Sequence, residues 1–273
     1  MQLSIWSSYY VDLSPEDMVC ELEKNGIFFS ELSDEHAAEL LKRGDAKETG
    51  RQFKKFADSH NVRFTQGHLW LRCRLCDKDR KYVIETLKSW LDLFSGIGIS
   101  RAVLHCDGIS FPDNTSLELK YLENISVLKE LTEYAKGKDV IICIENLGKF
   151  TRDIDELLYI VNSVGGSNIG ICLDTGHLNL NSKDQEGFIK KAGNHLKALH
   201  IADNEGFTDQ HMMPFGKGNV DFIKVMKALK EIKYDGLFNL EIPGERNCPL
   251  EIRRYKINYI KNVYEYLMKA TEK

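Results

Sequence analysis

Apolar and polar positions alternate along the chain in two regimes. Short, nearly continuous apolar runs are followed by longer stretches in which apolar residues recur at helical spacing. The runs predict strands at Gln2–Trp6, Ile27–Leu32, Asn61–His68, Ala102–Cys106, Val140–Glu145, Ile169–Asp174, Ala198–Asp203 and Leu237–Ile242. Between them the periodicity predicts helices at Ser14–Lys24, Lys81–Phe94, Ser116–Lys136, Asp153–Asn162, Asp184–Ala192, Asp221–Ile232 and Leu250–Met268, with two more in the long stretch 33–60. Ser14-Pro15-Glu16-Asp17 illustrates the start signal: an N-cap serine, a proline at the first helical position and acids on the positive end of the helix dipole.

Eight strand-then-helix units in about 250 residues is the arithmetic of a (β/α)8 TIM barrel, an α/β fold whose parallel strands are buried on both faces. No Ser/Gly/Pro linker interrupts the alternation, so residues 1–273 read as a single domain. A doubly wound open sheet shares the alternation, but it calls for a phosphate-binding glycine loop, and neither GxGxxG nor GxxxxGK[ST] occurs.

Composition narrows the functional classes. A 42% hydrophobic content supports a packed core rather than disorder, and a net charge of −4 argues against a protein that coats nucleic acid. The longest apolar runs, Val140–Ile144 and Leu157–Val161, are far short of the roughly 20 residues that span a bilayer. No Lys or Arg precedes Lys24, as a secretory signal would require. Seven cysteines, several inside apolar segments, suit reduced thiols, and a cytoplasmic location is expected. Cys73 and Cys76 form a lone CxxC without the second pair of a zinc knuckle.

The chemistry is carried by residues at strand ends. His68, His105, Glu145, Asp174, His200 and Glu241 fall at or near the carboxyl ends of six predicted strands. In a closed barrel those positions ring one mouth, where barrel enzymes keep their active sites. Acids and imidazoles gathered there without Lys or Arg call for a positive charge among them, and a divalent metal is the simplest. Each residue also has a structural reading as a hydrogen-bonded core side chain; the set points to metal more strongly than any member. His177 follows Asp174 by three residues, and Asp209 and His211 alternate on a predicted loop. Gly216-Lys217-Gly218-Asn219 forms a turn whose N–H groups are candidates for an oxyanion or phosphate.

With Ile144-Glu145-Asn146, Leu173-Asp174-Thr175-Gly176-His177, His200-Ile201-Ala202-Asp203-Asn204, Asp209-Gln210-His211, Pro214-Phe215-Gly216-Lys217-Gly218 and Leu240-Glu241 in this order, the chain resembles the xylose isomerase-like barrel superfamily, in particular the sugar phosphate isomerase/epimerase family. The resemblance implies one divalent metal (Mn, Co, Mg or Zn) held by Glu145, Asp174, His200 and Glu241. It also implies Glu145 and Glu241 as an acid/base pair acting through an enediolate, with His177 as a further catalytic group. His177, His211 and Lys217 are the expected substrate-binding residues, the substrate is a small carbohydrate, and assembly into a homo-oligomer is a further expectation.

The endonuclease IV-type nucleases share the barrel, and their three-zinc ligand positions match His68, His105, Glu145, Asp174, His177, His200, Asp209, His211 and Glu241. This resemblance implies up to three zinc ions and cleavage of DNA at abasic sites. Against nucleic acid as partner stand Gly176, where those nucleases usually carry cysteine, and the acidic net charge. The basic stretch Arg72, Arg74, Lys78, Arg80 and Lys81 points the other way, although a solvated loop explains it more simply. The arginine that ketose epimerases commonly place after the seventh strand is missing near Gly206 and Phe207. A barrel that binds metal or ligand without turnover is the third reading.

Overall fold

The computed structural model describes residues 1–148, 150–244 and 246–272. Its strands are β1 (Gln2–Trp6), β2 (Phe29–Leu32), β3 (Arg63–His68), β4 (Arg101–Leu104), β5 (Ile141–Glu145), β6 (Ile169–Asp174), β7 (Leu196–His200) and β8 (Leu237–Leu240). All pair in parallel in the order β7-β6-β5-β4-β3-β2-β1-β8. The β7–β8 seam is bridged just beyond β7: Ile201 donates to the carbonyl of Asn239 at 2.7 Å, and Glu241 donates to that of Ile201 at 3.1 Å. The sheet thus forms a nearly closed barrel, and the open doubly wound alternative falls.

Around it pack α1 (Pro15–Lys24), α2 (Asp34–Leu41), α3 (Ala46–Ser59), α4 (Arg80–Ile97), α5 (Leu117–Lys136), α6 (Ile154–Val164), α7 (Thr175–Asn179), α8 (Gln185–Ala192), α9 (Phe222–Glu231) and α10 (Leu250–Ala270). Ser14 caps α1 by accepting from the Asp17 N–H at 3.1 Å, as its sequence predicts. The stretch 33–60 does hold two helices, α2 and α3. Helix α4 outruns its predicted end because the turn that stops it is Gly98, at φ 88°, a left-handed cap that glycine adopts without penalty. The short α7 was not foreseen: Asp174 ends β6 and caps α7 at once, accepting from the His177 N–H at 2.6 Å.

The main apolar core lies between strands and helices, from Ile5 and Leu32 through Phe94 and Leu128 to Leu229 and Ile260, all nearly sealed from solvent. A second, small cluster of Val103, Cys143, Cys172 and Ala198 comes from β4 to β7. Ser4, Glu31, Gln66 and Asn239, on β1, β2, β3 and β8, are polar and wholly buried. Their hydrogen bonds run to one another and across the barrel, Gln66 reaching the Leu199 carbonyl on β7 at 3.2 Å. Among the described residues no helix is long and apolar enough to cross a membrane.

Candidate metal centre

All the strand-end residues converge. Glu145 closes β5, Asp174 closes β6 and His200 closes β7, while Glu241 sits one residue past β8. These four, 0–5% exposed, each bring one ligand atom within 4.8 Å of the others. His68 ends β3, and His105, one residue beyond β4, sets Nε2 3.1 Å from Glu145 Oε2. The three strands predicted to run on through Cys106, Asp203 and Ile242 end earlier, at Leu104, His200 and Leu240, so that His105 and Glu241 lie just past their strands.

Local hydrogen bonds aim these groups. Asn146 clamps Asp174 from the neighbouring strand end, accepting from its N–H at 2.7 Å and donating to its carbonyl at 3.0 Å. Thr175 exchanges bonds with Ala202, accepting from its N–H at 3.0 Å and donating to its carbonyl at 2.7 Å, and so ties the end of β6 to the segment after β7. Asn204 donates to the Gly176 carbonyl at 2.8 Å. These contacts are the structural content of the Asp174–His177 and His200–Asn204 motifs.

Two outer groups flank the four. His68, His105 and Glu145 form one, and Asp174, His177 and His211 the other. Asp209 joins the second, with Oδ2 3.2 Å from His177 Nε2 and Oδ1 3.1 Å from His211 Nε2. His211 adopts a left-handed φ of 44°, a conformation uncommon outside glycine.

Five buried atoms in this cluster lack a hydrogen-bond partner: His68 Nε2, Glu145 Oε1, Asp174 Oδ2, His200 Nδ1 and Glu241 Oε2. Each such orphan costs about 1–3 kcal/mol in a folded protein. All five belong to donor types that ligate divalent cations, so the residues fit a metal ion. Electrostatics agrees. Burial opposes charge on Glu145, yet His200, His105 and His177 outweigh it and hold the carboxyl well below the usual range. Glu241 is pushed up to about 8 by burial and by its acidic neighbours Glu145 and Asp174, against the pull of His200 and His211. Burial works against protonated His177 and His200 too, but Asp174, Asp209 and Glu145 raise the first, and Cys172, Glu241, Glu31 and Glu145 the second, well above an ordinary imidazole. Cys172 also reaches Glu145 and His200, but burial pushes its thiol up, which keeps it protonated and a poor ligand.

The cluster opens into a cavity of about 310 Å³ lined by Trp6, Leu71, His105, Glu145, Leu147, His177, Asp209, His211, Glu241 and Pro243. Lys217 is exposed and does not line it. At the Gly216–Asn219 turn a side chain at Gly218 would strike the buried Asp203 carboxylate, which accepts from the Val220 N–H just after the turn at 3.1 Å. In the basic stretch, Arg72, Arg74, Lys78 and Lys81 face solvent, and Arg80 bonds Ser126 on α5 at 2.9 Å. Cys73 and Cys76 are unbonded, and burial pushes both thiols up to about 12, the reverse of a reactive CxxC.

Reading strand ends did not find Glu31. It lies on β2, wholly buried, with both carboxylate oxygens 3.1 Å from His200 Nε2. A lone acid between Phe29-Ser30 and Leu32 was the available signal.

Comparison with known proteins places this geometry. The chain is 24% identical over 206 residues to the D-psicose 3-epimerase of Enterocloster bolteae, covering 71% of this chain and 66% of that one. It is 30% identical over 141 residues to a probable endonuclease 4 of Mycoplasmopsis synoviae, covering 45% and 51%. The chain therefore spans about half to two thirds of the length of these curated relatives. The crystal structure of a D-tagatose 3-epimerase-like protein superposes with a TM-score of 0.81 over 99% of this chain and 98% of that one, at 22% identity. The family model described as xylose isomerase-like TIM barrel matches residues 21–263. On that match, and with the barrel it predicts in view, the chain belongs to the xylose isomerase-like TIM barrel family.

Proposed function

We propose that the protein is a divalent-metal-dependent isomerase or epimerase of a small sugar. The observation that carries this reading is the convergence of Glu145, Asp174, His200 and Glu241, with unpartnered ligand atoms, beneath a cavity of about 310 Å³ that Glu145 and Glu241 line. The similarity to D-psicose 3-epimerase supports the same reaction class.

Moving a carbonyl along a sugar, or inverting the carbon beside it, requires removing a proton from carbon and stabilising an enediolate. A bound divalent cation supplies charge stabilisation for the developing oxyanion. Three carboxylates and one imidazole suit Mn²⁺, Mg²⁺ or Co²⁺, and the surrounding histidines extend the range to Zn²⁺. Glu145 and Glu241 both line the cavity, one from β5 and one from beyond β8, and in this reading they take and return the proton. His177 and His211 sit at the rim, where they hydrogen-bond substrate hydroxyls. Trp6, Leu71, Leu147 and Pro243 exclude water from the carbanion-like intermediate.

Among the described residues the lining holds no Lys or Arg, which favours an unphosphorylated sugar. The second reading, a three-zinc phosphodiesterase of the endonuclease IV type, draws on the two outer histidine groups and the similarity to endonuclease 4. The same lining without Lys or Arg weighs against it, since a DNA backbone calls for cationic contacts. Incubating metal-loaded protein with a panel of ketoses in deuterated water separates the readings. Solvent deuterium entering one sugar carbon supports the isomerase, whereas cleavage of abasic DNA without sugar exchange supports the nuclease.

A further inference from the structure

We propose that Glu31 is the positioning residue of this centre: it holds the proton of His200 on Nε2 and thereby presents Nδ1, unprotonated, to the metal. The inference rests on the metal-centre reading above and deepens it.

The geometry is one-directional. His200 Nε2 lies 3.1 Å from both oxygens of Glu31, while its Nδ1 faces Glu145 Oε2 at 3.3 Å and Glu241 Oε2 at 3.4 Å without a hydrogen bond. A carboxylate accepts and never donates, so the nitrogen hydrogen-bonded to it, Nε2, carries the hydrogen. With one proton committed there, the other nitrogen is free to ligate; an acid behind a ligating imidazole fixes ring and tautomer and raises ligand basicity.

Glu31 is itself held as an acceptor. The side-chain amides of Gln66, at 3.0 Å, and Asn239 both donate to Oε2. Asn239 is turned that way because its Oδ1 accepts from Ser4 Oγ at 2.7 Å. The chain Ser4–Asn239–Glu31–His200 therefore crosses β1, β8, β2 and β7, none of it reachable by solvent. Two amide donors on Oε2 require an acceptor there, so a glutamine at 31 is left facing His200 Nε2 with its NH2, which forces the ring proton off Nε2 and onto Nδ1.

The test is cobalt uptake by metal-free wild type and Glu31→Gln, read by competition with a chromogenic chelator and by the visible d–d bands, with the melting temperature of each metal-free protein as the structural control. The expected result is about a 10- to 100-fold loss of cobalt affinity with shifted bands, beyond any change in the metal-free melting temperature. A readout that needs no variant is the ¹⁵N spectrum of the zinc-loaded wild type, which should show the His200 proton on Nε2. Equal affinity and bands in the two proteins, or a His200 proton on Nδ1, overturns the assignment. A wild type that takes up no cobalt removes the metal-centre reading and this inference with it. Normal wild-type uptake that Glu31→Gln leaves unchanged removes the inference alone.

Discussion

His68 donates its Nδ1–H to the carbonyl of Leu69 at 2.6 Å, which leaves Nε2 bare and buried, 3.6 Å from Glu145. An imidazole locked by its own backbone so that its second nitrogen stands unpaired against a carboxylate is an incomplete arrangement in a metal-free protein. A cation held between them would satisfy both groups.

Metal binding should therefore stabilise the fold. Adding Mn²⁺ or Co²⁺ at about 100 times its dissociation constant is expected to add about 2.7 kcal/mol, seen as a raised melting temperature. Asp174→Asn should abolish most of that increment while leaving the α7 cap, which an asparagine oxygen also provides. Differential scanning calorimetry with and without a chelator measures both effects.

Removing the proton-transfer pair should stop turnover more than binding. Glu241→Gln is expected to lower the rate of carbon-bound proton exchange in the active sugar by about 10²- to 10⁴-fold. The change should fall on kcat with KM altered far less, and elemental analysis of the variant shows whether metal is still held.

The rim residues should separate in steady-state kinetics. His211→Asn is expected to raise KM, because His211 lines the cavity with its Nδ1 3.0 Å from the Glu241 carbonyl. Lys217→Ala should leave KM where it was, since that side chain is exposed and outside the lining.

Away from the site, Arg253 is buried and makes two 2.7 Å bonds to the Asp12 carboxylate. Those bonds hold the Asp12 carboxyl below its usual range. A carboxyl depressed on folding contributes stability above its unfolded value of about 3.9, and that stability is lost as pH falls through the folded value. Asp12→Asn should cost about 1–3 kcal/mol at pH 7, less than a sealed pair because Asp12 is 32% exposed. Urea denaturation of both proteins should show the difference shrinking below about pH 4.

The barrel was legible because parallel strands buried on both faces leave continuous apolar runs, and β6, predicted at Ile169–Asp174, has those bounds. The four residues of the inner cluster were legible for the same reason: an acid or imidazole ending such a run, as Glu145 does after Ile141–Ile144, is conspicuous. Glu31 escaped because it precedes the end of its strand and its function depends on Gln66, Asn239 and His200, residues far away in sequence. The Gly216–Asn219 turn was ambiguous in the sequence because glycines that free N–H groups for a ligand look the same as glycines that admit an internal carboxylate, here Asp203 beside Gly218.

The central claim is that the buried cluster of Glu145, Asp174, His200 and Glu241 holds a divalent cation. Elemental analysis of protein purified without chelator or metal-affinity resin tests it most directly. The account predicts about one ion of Mn, Co, Mg or Zn per chain, rising to about three zinc ions if the outer histidine groups are filled too. Metal-free protein that also takes up none of these ions when they are supplied would contradict it.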